Sequence, residues 1–116
     1  MTTPMRGEVW RVRFDPAEGD EIKKIRTAVV VSANGVGKLR LKIVAPITEW
    51  RPPFAAFPWF VHLLPTPTNG LSKESGADTF QVKSLSESRF MTRLGALEAK
   101  EMHAIVAAIK LCVGAT

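Results

Sequence analysis

The order of two hydrophobic periodicities along the chain constrains its fold more than any other feature. Short segments with the alternation or the β-branched composition of strands come first, separated by turn residues. One segment with the spacing of an amphipathic helix comes last, with apolar residues recurring from Leu97 to Val113. This order predicts a mainly β fold with α, a small antiparallel sheet or partly open barrel covered at one end by a C-terminal amphipathic helix. No Ser, Thr, Asn or Asp precedes the helix, so a poorly capped N-terminus is expected.

The predicted strands differ in how much of their surface is apolar. Residues 7–16 largely alternate and predict a half-buried strand, whereas residues 26–32 are β-branched and predict a strand buried on both faces. Asn34-Gly35 predicts a tight hairpin from this second strand to a third. The remaining strands are predicted over residues 38–48, 59–64, 78–85 and 89–94.

Two predicted loops, residues 49–58 and 65–77, exceed the usual length of connections in compact domains. The first is rich in proline and unusually aromatic for a loop. Because long loops on a rigid sheet often carry binding residues, these two segments are candidates for a functional surface.

Length and charge restrict the class of protein. The 116 residues predict a single domain over residues 1–116 with one core. Lys and Arg number 16 against 11 Asp and Glu, and the net charge of +5 favours polyanion partners such as nucleic acid. The single cysteine, Cys112, excludes an intrachain disulfide. No apolar run has the length of a membrane span and no secretory signal is visible, so a cytoplasmic location without membrane contact is expected.

Several kinds of catalytic site lack their sequence signals. The glycine-containing segment 33–37 is a turn and not a phosphate-binding loop. One cysteine and two distant histidines, His62 and His103, make a zinc site improbable. No nucleophile-elbow motif is present. The sequence therefore predicts neither a metal nor another cofactor.

Basic and aromatic residues remain as the candidates for function. Arg26 stands at the mouth of an apolar strand, and Trp50, Phe54, Phe57 and Trp59 crowd one loop. Cations that follow phosphates, together with rings that stack on bases, form a site for single-stranded nucleic acid. Two structural alternatives stay open, because the rings can cover a core or a subunit interface, and Arg26 can form a surface pair with Glu21.

Motifs along nearly the whole chain resemble the MazF/PemK family of toxin endoribonucleases. They are RGEVWRVRFDPAEGDEIKKIRTAVVVS, then IVAPIT, then GLSKESGADTFQVKSLSESRFMTRLGALEAKEM, in that order. The resemblance implies an SH3-like barrel, a symmetric homodimer and metal-independent, sequence-selective cleavage of single-stranded RNA. The expected products carry a 2′,3′-cyclic phosphate and a 5′-hydroxyl. A MazE-like antitoxin is the implied inhibitor, and DNA is contacted only indirectly, through that antitoxin.

The resemblance also implies site residues. The catalytic pair of the family falls on Arg26 and Thr48, and Gln81 matches a position that contacts RNA. The full set of predicted RNA-contacting residues is Gln81, Lys24, Glu21, Trp50 and Arg51. If a hairpin pairs the second and third strands, Arg26 and Thr48 meet at the same edge of the sheet.

The chain departs from the family pattern at three places, one of which is the insert WRPPFAAFPWF, so the cleavage sequence of the family does not carry over. Asp20-Glu21-Ile22 stands where the family often has Ser-Glu-Gln, and Arg13 replaces an acidic residue. Two other functions stay open on the same fold. One is a gyrase poison of the CcdB type, although this chain lacks the C-terminal tryptophan on which that family relies. The other is a catalytically inactive module that binds RNA or an antitoxin.

Overall fold

A computed structural model describes residues 3–115 as a seven-stranded antiparallel sheet with one C-terminal helix. Six strands follow the order β4-β5-β3-β2-β1-β7, and β6 pairs with the first half of β3. Strands β4 and β7 are opposite edges, so the sheet does not close, and the predicted partly open barrel with a C-terminal helix is confirmed. The elements are β1 (Glu8–Arg13), β2 (Ile25–Val30), β3 (Leu41–Glu49), β4 (Phe60–Leu63), β5 (Ser75–Asp78), β6 (Lys83–Ser86), β7 (Phe90–Ala96) and α1 (Ala99–Cys112), with 3-10 turns at Pro52–Ala56, Thr79–Gln81 and Glu87–Arg89.

The core consists of two clusters on opposite faces of the sheet. In β2, Val29 packs in the first cluster, beneath α1, whereas Ala28 and Val30 pack in the second. The prediction that this strand is buried on both faces is therefore confirmed. The first cluster comprises Val9, Val29, Val31, Ala45, Ile47, Leu63, Ala77, Leu97, Met102 and Ile105. The second comprises Trp10, Val12, Phe14, Ala28, Val30, Val44, Leu85 and Phe90.

The strand predicted over residues 78–85 is wrong. Strand β5 ends at Asp78, whose Oδ1 accepts a hydrogen bond from the backbone N–H of Phe80 at 3.1 Å. This side-chain bond stabilises a 3-10 turn, because it satisfies a backbone donor that a strand ladder would otherwise use. Pairing resumes only at Lys83, in β6.

The tight hairpin predicted at Asn34-Gly35 is also wrong. Strands β2 and β3 are paired as expected, but residues 31–40 form a longer connection between them. Asn34 Oδ1 accepts the backbone N–H of Arg6 at 2.8 Å, so this side chain ties the connection to the N-terminal segment. Gly35 and Gly37 both have positive φ angles, +79° and +82°, a conformation that glycine adopts without the strain that a side chain would add.

Helix α1 begins with a capping box, in which the side chains of Glu98 and Glu101 each accept the backbone N–H of the other residue. The Glu101 carboxylate accepts the backbone N–H of Glu98 at 2.8 Å, so the expected poorly capped N-terminus is wrong. Met102, Ile105 and Ala108 bury the apolar face of α1. Among residues 3–115, no helix is both long and apolar enough to cross a membrane.

The half-buried carboxylate of Glu8 anchors the start of the sheet. It accepts hydrogen bonds from the backbone N–H of Met5 at 2.8 Å, from Trp10 Nε1 at 3.1 Å and from Arg93 Nε at 2.8 Å. Burial raises the pKa of this carboxyl, but the three hydrogen bonds and the Arg93 charge outweigh burial and hold the pKa below its ordinary value.

We expect Glu8→Gln to lower the free energy of unfolding at neutral pH by about 1–2 kcal/mol, because the charged acceptor is lost. A lowered folded-state pKa means that the wild-type carboxylate stabilises the fold above its ordinary pKa of 4.5, and that this stabilisation disappears as the pH falls through the lowered value. Urea unfolding at neutral and at acidic pH tests this. The difference between the two proteins should shrink in acid, and an unchanged difference would contradict the assignment.

Candidate functional site

Arg26 and Thr48 lie on paired strands, β2 and β3. The register of β2 with β3 includes Ala28 opposite Pro46 and Thr27 opposite Ile47. Extending this register by one residue would set Arg26 opposite Thr48, about 4.8 Å apart across the sheet. Both residues line the same cavity, so the structure brings them together although they are 22 positions apart in the sequence.

The Arg26 guanidinium is exposed and held at only one of its nitrogens. Its Nε donates to the backbone oxygen of Lys23 at 3.2 Å, and among residues 3–115 no carboxylate forms an ion pair with it. The possible surface pair with Glu21 is wrong, because Glu21 lies 3.8 Å from Lys83 Nζ instead. Both Nη groups therefore remain available for a fork-like contact with an anion.

A cavity of about 570 Å³ lies at this end of the two strands. Four cations line it, and one of them, Lys73, pairs with Glu49 at 3.5 Å. The lining is therefore net positive, which favours a polyanion. Predicted residues Arg26, Thr48 and Arg51 all contribute to it. The other lining residues are Arg11, Ile25, Thr27, Ile47, Glu49, Gly70, Leu71, Ser72, Lys73, Ser75 and Leu94.

Trp50 lies beyond Thr48 and close to the next two strands. Thr48 pairs with Gly76 of β5, which in turn pairs with His62 of β4. The indole of Trp50 covers Gly76, because a Cβ added there would lie 3.0 Å from Trp50 Cε3. The same indole stacks on the His62 ring with centroids 4.1 Å apart, and His62 Nε2 hydrogen-bonds to Glu74. Trp50 is thus half-buried at the rim of the site.

The four rings predicted from the aromatic loop pack mainly against other rings. Phe54 stacks on Phe60 at 4.0 Å, and Phe57 stacks on Trp59 at 5.0 Å. Trp59 also contacts Phe80, at 6.2 Å. The structural alternative therefore holds in part, since these rings form an aromatic layer outside the two core clusters.

Gln81 and Glu21 lie together, but around a second cavity of about 280 Å³. Gln81 Oε1 accepts the backbone N–H of Ile22 at 2.6 Å, and its Nε2 donates to Asp78 Oδ2 at 3.0 Å. The lining consists of Glu21, Ile22, Phe80, Gln81, Val82 and Lys83. The structure thus separates these predicted residues from the larger cavity.

Lys24 lines neither of these two cavities. It has the positive φ angle of +67°, its backbone N–H donates to Asp15 Oδ1 at 2.9 Å, and its side chain is exposed. Its backbone therefore shapes the loop that leads into Arg26.

Sequence reasoning missed Arg11 and Lys73 as cavity residues. Arg11 pairs with Thr27 across β1 and β2, a register that the alternation of β1 alone does not reveal. Lys73 lies in a loop, where no periodic signal places it. Among residues 3–115, no three His, Cys, Asp or Glu side chains come together as metal ligands would.

Sequence comparison connects this geometry to known proteins. Residues 5–113 match the sequence profile of PemK-like, MazF-like toxins of type II toxin–antitoxin systems. The chain is also 32% identical over 112 residues to Endoribonuclease MazF9 of Mycobacterium tuberculosis, an alignment that covers 91% of this chain and 92% of that protein.

Solved structures show the same fold. MazF from Deinococcus radiodurans superposes with a TM-score of 0.79 at 24% identity, covering 98% of this chain and 99% of that one. An endoribonuclease in complex with its cognate antitoxin, from a mycobacterial species, superposes with a TM-score of 0.75 at 19% identity, covering 96% and 95%. With its profile match over nearly the whole length, the chain belongs to the PemK-like, MazF-like toxin family of type II toxin–antitoxin systems.

Proposed function

We propose that the chain is a toxin endoribonuclease that cleaves single-stranded RNA at a short specific sequence without a metal, with Arg26 and Thr48 as its catalytic residues. One observation carries this proposal: Arg26 and Thr48 line the same net-positive cavity, and within residues 3–115 only the Nε of the Arg26 guanidinium is hydrogen-bonded. The similarity to a protein named an endoribonuclease adds support.

The proposed reaction uses the RNA's own 2′-hydroxyl as the nucleophile. Its oxygen forms a bond to the adjacent phosphorus, the bond to the 5′-oxygen breaks, and the products are a 2′,3′-cyclic phosphate and a 5′-hydroxyl. The proton lost from the 2′-hydroxyl is balanced by one gained at the 5′-oxygen. Arg26 holds two non-bridging oxygens in its planar fork, and the Thr48 hydroxyl donates to one of them. Donors of this kind contribute about 3–4 kcal/mol each to transition-state stabilisation.

Of the other predicted RNA contacts, Arg51 lines the larger cavity, and Gln81 and Glu21 line the smaller one. Arg51 offers a phosphate contact, and the half-buried Trp50 follows Thr48 in the chain by two residues. Lys24 supplies an exposed cation between Glu21 and Arg26 in the chain. We assign all five to RNA binding in this proposal.

The proposed assembly is a homodimer inhibited by a MazE-like antitoxin in the cytoplasm. Apolar side chains at the start of β3 and in the connection before it are exposed, which suits burial against a second copy. Light scattering of the purified chain tests the dimer. An antitoxin that lies across the net-positive cavity would exclude RNA, and DNA would be contacted only through that antitoxin. The exposed apolar residues are Val36, Leu39, Leu41 and Ile43.

We expect the purified chain to cut a long single-stranded RNA at few positions in the presence of EDTA. Sequencing of the new 5′ ends, which should carry hydroxyls, identifies the cleavage sequence. A matched RNA with deoxyribose at the cleaved position should bind and remain intact, because it lacks the nucleophile.

Other results would favour the alternatives. Cleavage that stops in EDTA contradicts the metal-free reaction, and cleavage of the deoxyribose-containing RNA contradicts attack by the 2′-oxygen. Salt-sensitive RNA binding without products would favour the inactive binding module. Capture of gyrase together with intact RNA would favour a gyrase poison.

A further inference from the structure

Phe80 is a large aromatic side chain that the fold leaves in solvent. It lies on the 3-10 turn between β5 and β6, and 69% of its surface is exposed. Its only aromatic neighbour among the described residues is Trp59, with ring centroids 6.2 Å apart and planes tilted by 52°, so no ring stacks on its face. We propose that Phe80 and the adjacent cavity of about 280 Å³ form a nucleobase-binding subsite for single-stranded RNA, an inference that rests on the proposed function.

The subsite is held in shape by hydrogen bonds across its lining. One side comes from the loop before β2 and the other from the turn between β5 and β6, and Gln81 joins them. Its Oε1 accepts the Ile22 N–H at 2.6 Å and its Nε2 donates to the buried Asp78 at 3.0 Å. Such pre-organisation reduces the entropy lost when a ligand binds.

The chemistry of the lining matches a base better than an apolar peptide side chain. Phe80, Ile22 and Val82 offer apolar surface, including one ring face on which a base can stack. Polar groups stand beside them, because Gln81 retains one N–H and one lone pair, and Glu21 and Lys83 make only a long ion pair of 3.8 Å. A base presents an aromatic face and a hydrogen-bonding edge together, so it uses both parts of this lining.

The position of the subsite ties it to the proposed cleavage site. Ile22 lines the cavity, and the oxygen of the following residue, Lys23, accepts the hydrogen bond from Arg26 Nε. Ile22 and Arg26 are four residues apart, so their Cα atoms lie at most about 14 Å from each other. We therefore place the subsite within reach of a short RNA segment whose scissile phosphate contacts Arg26.

The test compares the affinity of Phe80 variants for a 2′-O-methylated single-stranded RNA pool, which cannot be cleaved, and for the deoxyribose-containing RNA once a cleavage site is mapped. We expect Phe80→Ala to weaken binding about tenfold, because one stacked base is lost. Phe80→Leu should lose as much, since leucine retains apolar volume but has no π-face, and Phe80→Trp should bind at least as tightly as wild type. The salt dependence of binding should stay unchanged, whereas Arg26→Ala should reduce its slope by about one.

Leu64→Ala is the matched control, because Leu64 is 58% exposed, lines neither cavity and follows the end of β4 opposite to the end that pairs with Asp78. Wild-type affinity in Phe80→Ala, or full recovery in Phe80→Leu, overturns the subsite. If wild type cleaves RNA and Phe80→Ala binds it equally well, the subsite fails while the proposed function stands. If wild type binds RNA without cleaving it and Phe80→Ala binds weakly, the function fails while the subsite stands. Loss of antitoxin binding alone in Phe80→Ala assigns the ring to a protein partner and also overturns the proposal.

Discussion

Replacing Arg26 with alanine is expected to lower the rate of RNA cleavage by about 10²- to 10³-fold while the protein stays folded. Arg26 is exposed at the end of β2, and its single hydrogen bond among the described residues is the one from Nε to the Lys23 oxygen, so its removal leaves the core intact. The loss should fall mainly on kcat, because the guanidinium is proposed to contact the phosphate in the bound RNA but to bind the phosphate more strongly when extra charge develops on it in the transition state. Single-turnover cleavage of the mapped RNA measures this rate.

Four further variants test whether this loss of rate comes from contact with the phosphate. Arg26→Lys should recover little activity, since an ammonium cannot hold two phosphate oxygens in a plane. Thr48→Val should slow the reaction less than Arg26→Ala, and the double variant should fall short of the product of the two effects if both residues act on one phosphate. Arg51→Ala, in the same cavity, should raise KM more than it lowers kcat. Near-normal cleavage by Arg26→Ala would remove the catalytic assignment.

Gly95→Ala is expected to destabilise the protein by about 3 kcal/mol or more, because backbone atoms occupy the space that a side chain would need. A Cβ at Gly95 would lie 2.4 Å from the Thr68 oxygen and 2.6 Å from the carbonyl carbon of Asn69. Those atoms cannot move aside, since Asn69 is fully buried and its amide bonds to the backbone at Leu64, Thr66 and Leu71. Thermal or urea unfolding measures the loss.

Gly19→Ala is the control, because it measures the cost of a side chain at a positive φ angle without a steric clash. Gly19 has a φ angle of +56°, but a Cβ there meets nothing within 4 Å, so the substitution should cost only about 1 kcal/mol of conformational strain. Similar losses of unfolding free energy in the two variants would show that residues 68–70 lie farther from β7 than the structure places them.

The parts of the fold that follow from periodicity could be predicted from the sequence. Strand β2 buries Ala28, Val29 and Val30, and helix α1 buries Met102 and Ile105 from its apolar pattern, because hydrophobic burial underlies both the pattern and the packing. Val113, the last residue of that pattern, is exposed instead. The placement of Arg26 and Thr48 at one cavity also follows once β2 and β3 pair as neighbours.

What could not be predicted depends on individual side chains that bond to distant backbone. Asn34 accepts the backbone N–H of Arg6, 28 positions away, and so ties the expected hairpin to the N-terminal segment. Gln81 reaches the Ile22 backbone, 59 positions away, and thereby joins two sides of a cavity. Local propensity contains no information on such long-range bonds, which form only after the sheet has brought the segments together.

The proposed catalytic pair lies on strands, whereas many residues around it lie on loops and turns, and this difference affects how the protein can change its target sequence. Arg26 and Thr48 belong to paired strands, so their spacing is fixed by the ladder between β2 and β3. Much of what surrounds them, including Lys73, Phe80 and the aromatic segment after β3, belongs to loops and turns. Under the proposed function, new target sequences would arise by exchange of loops and turns between related chains, while the two strands that hold the proposed catalytic pair stay unchanged.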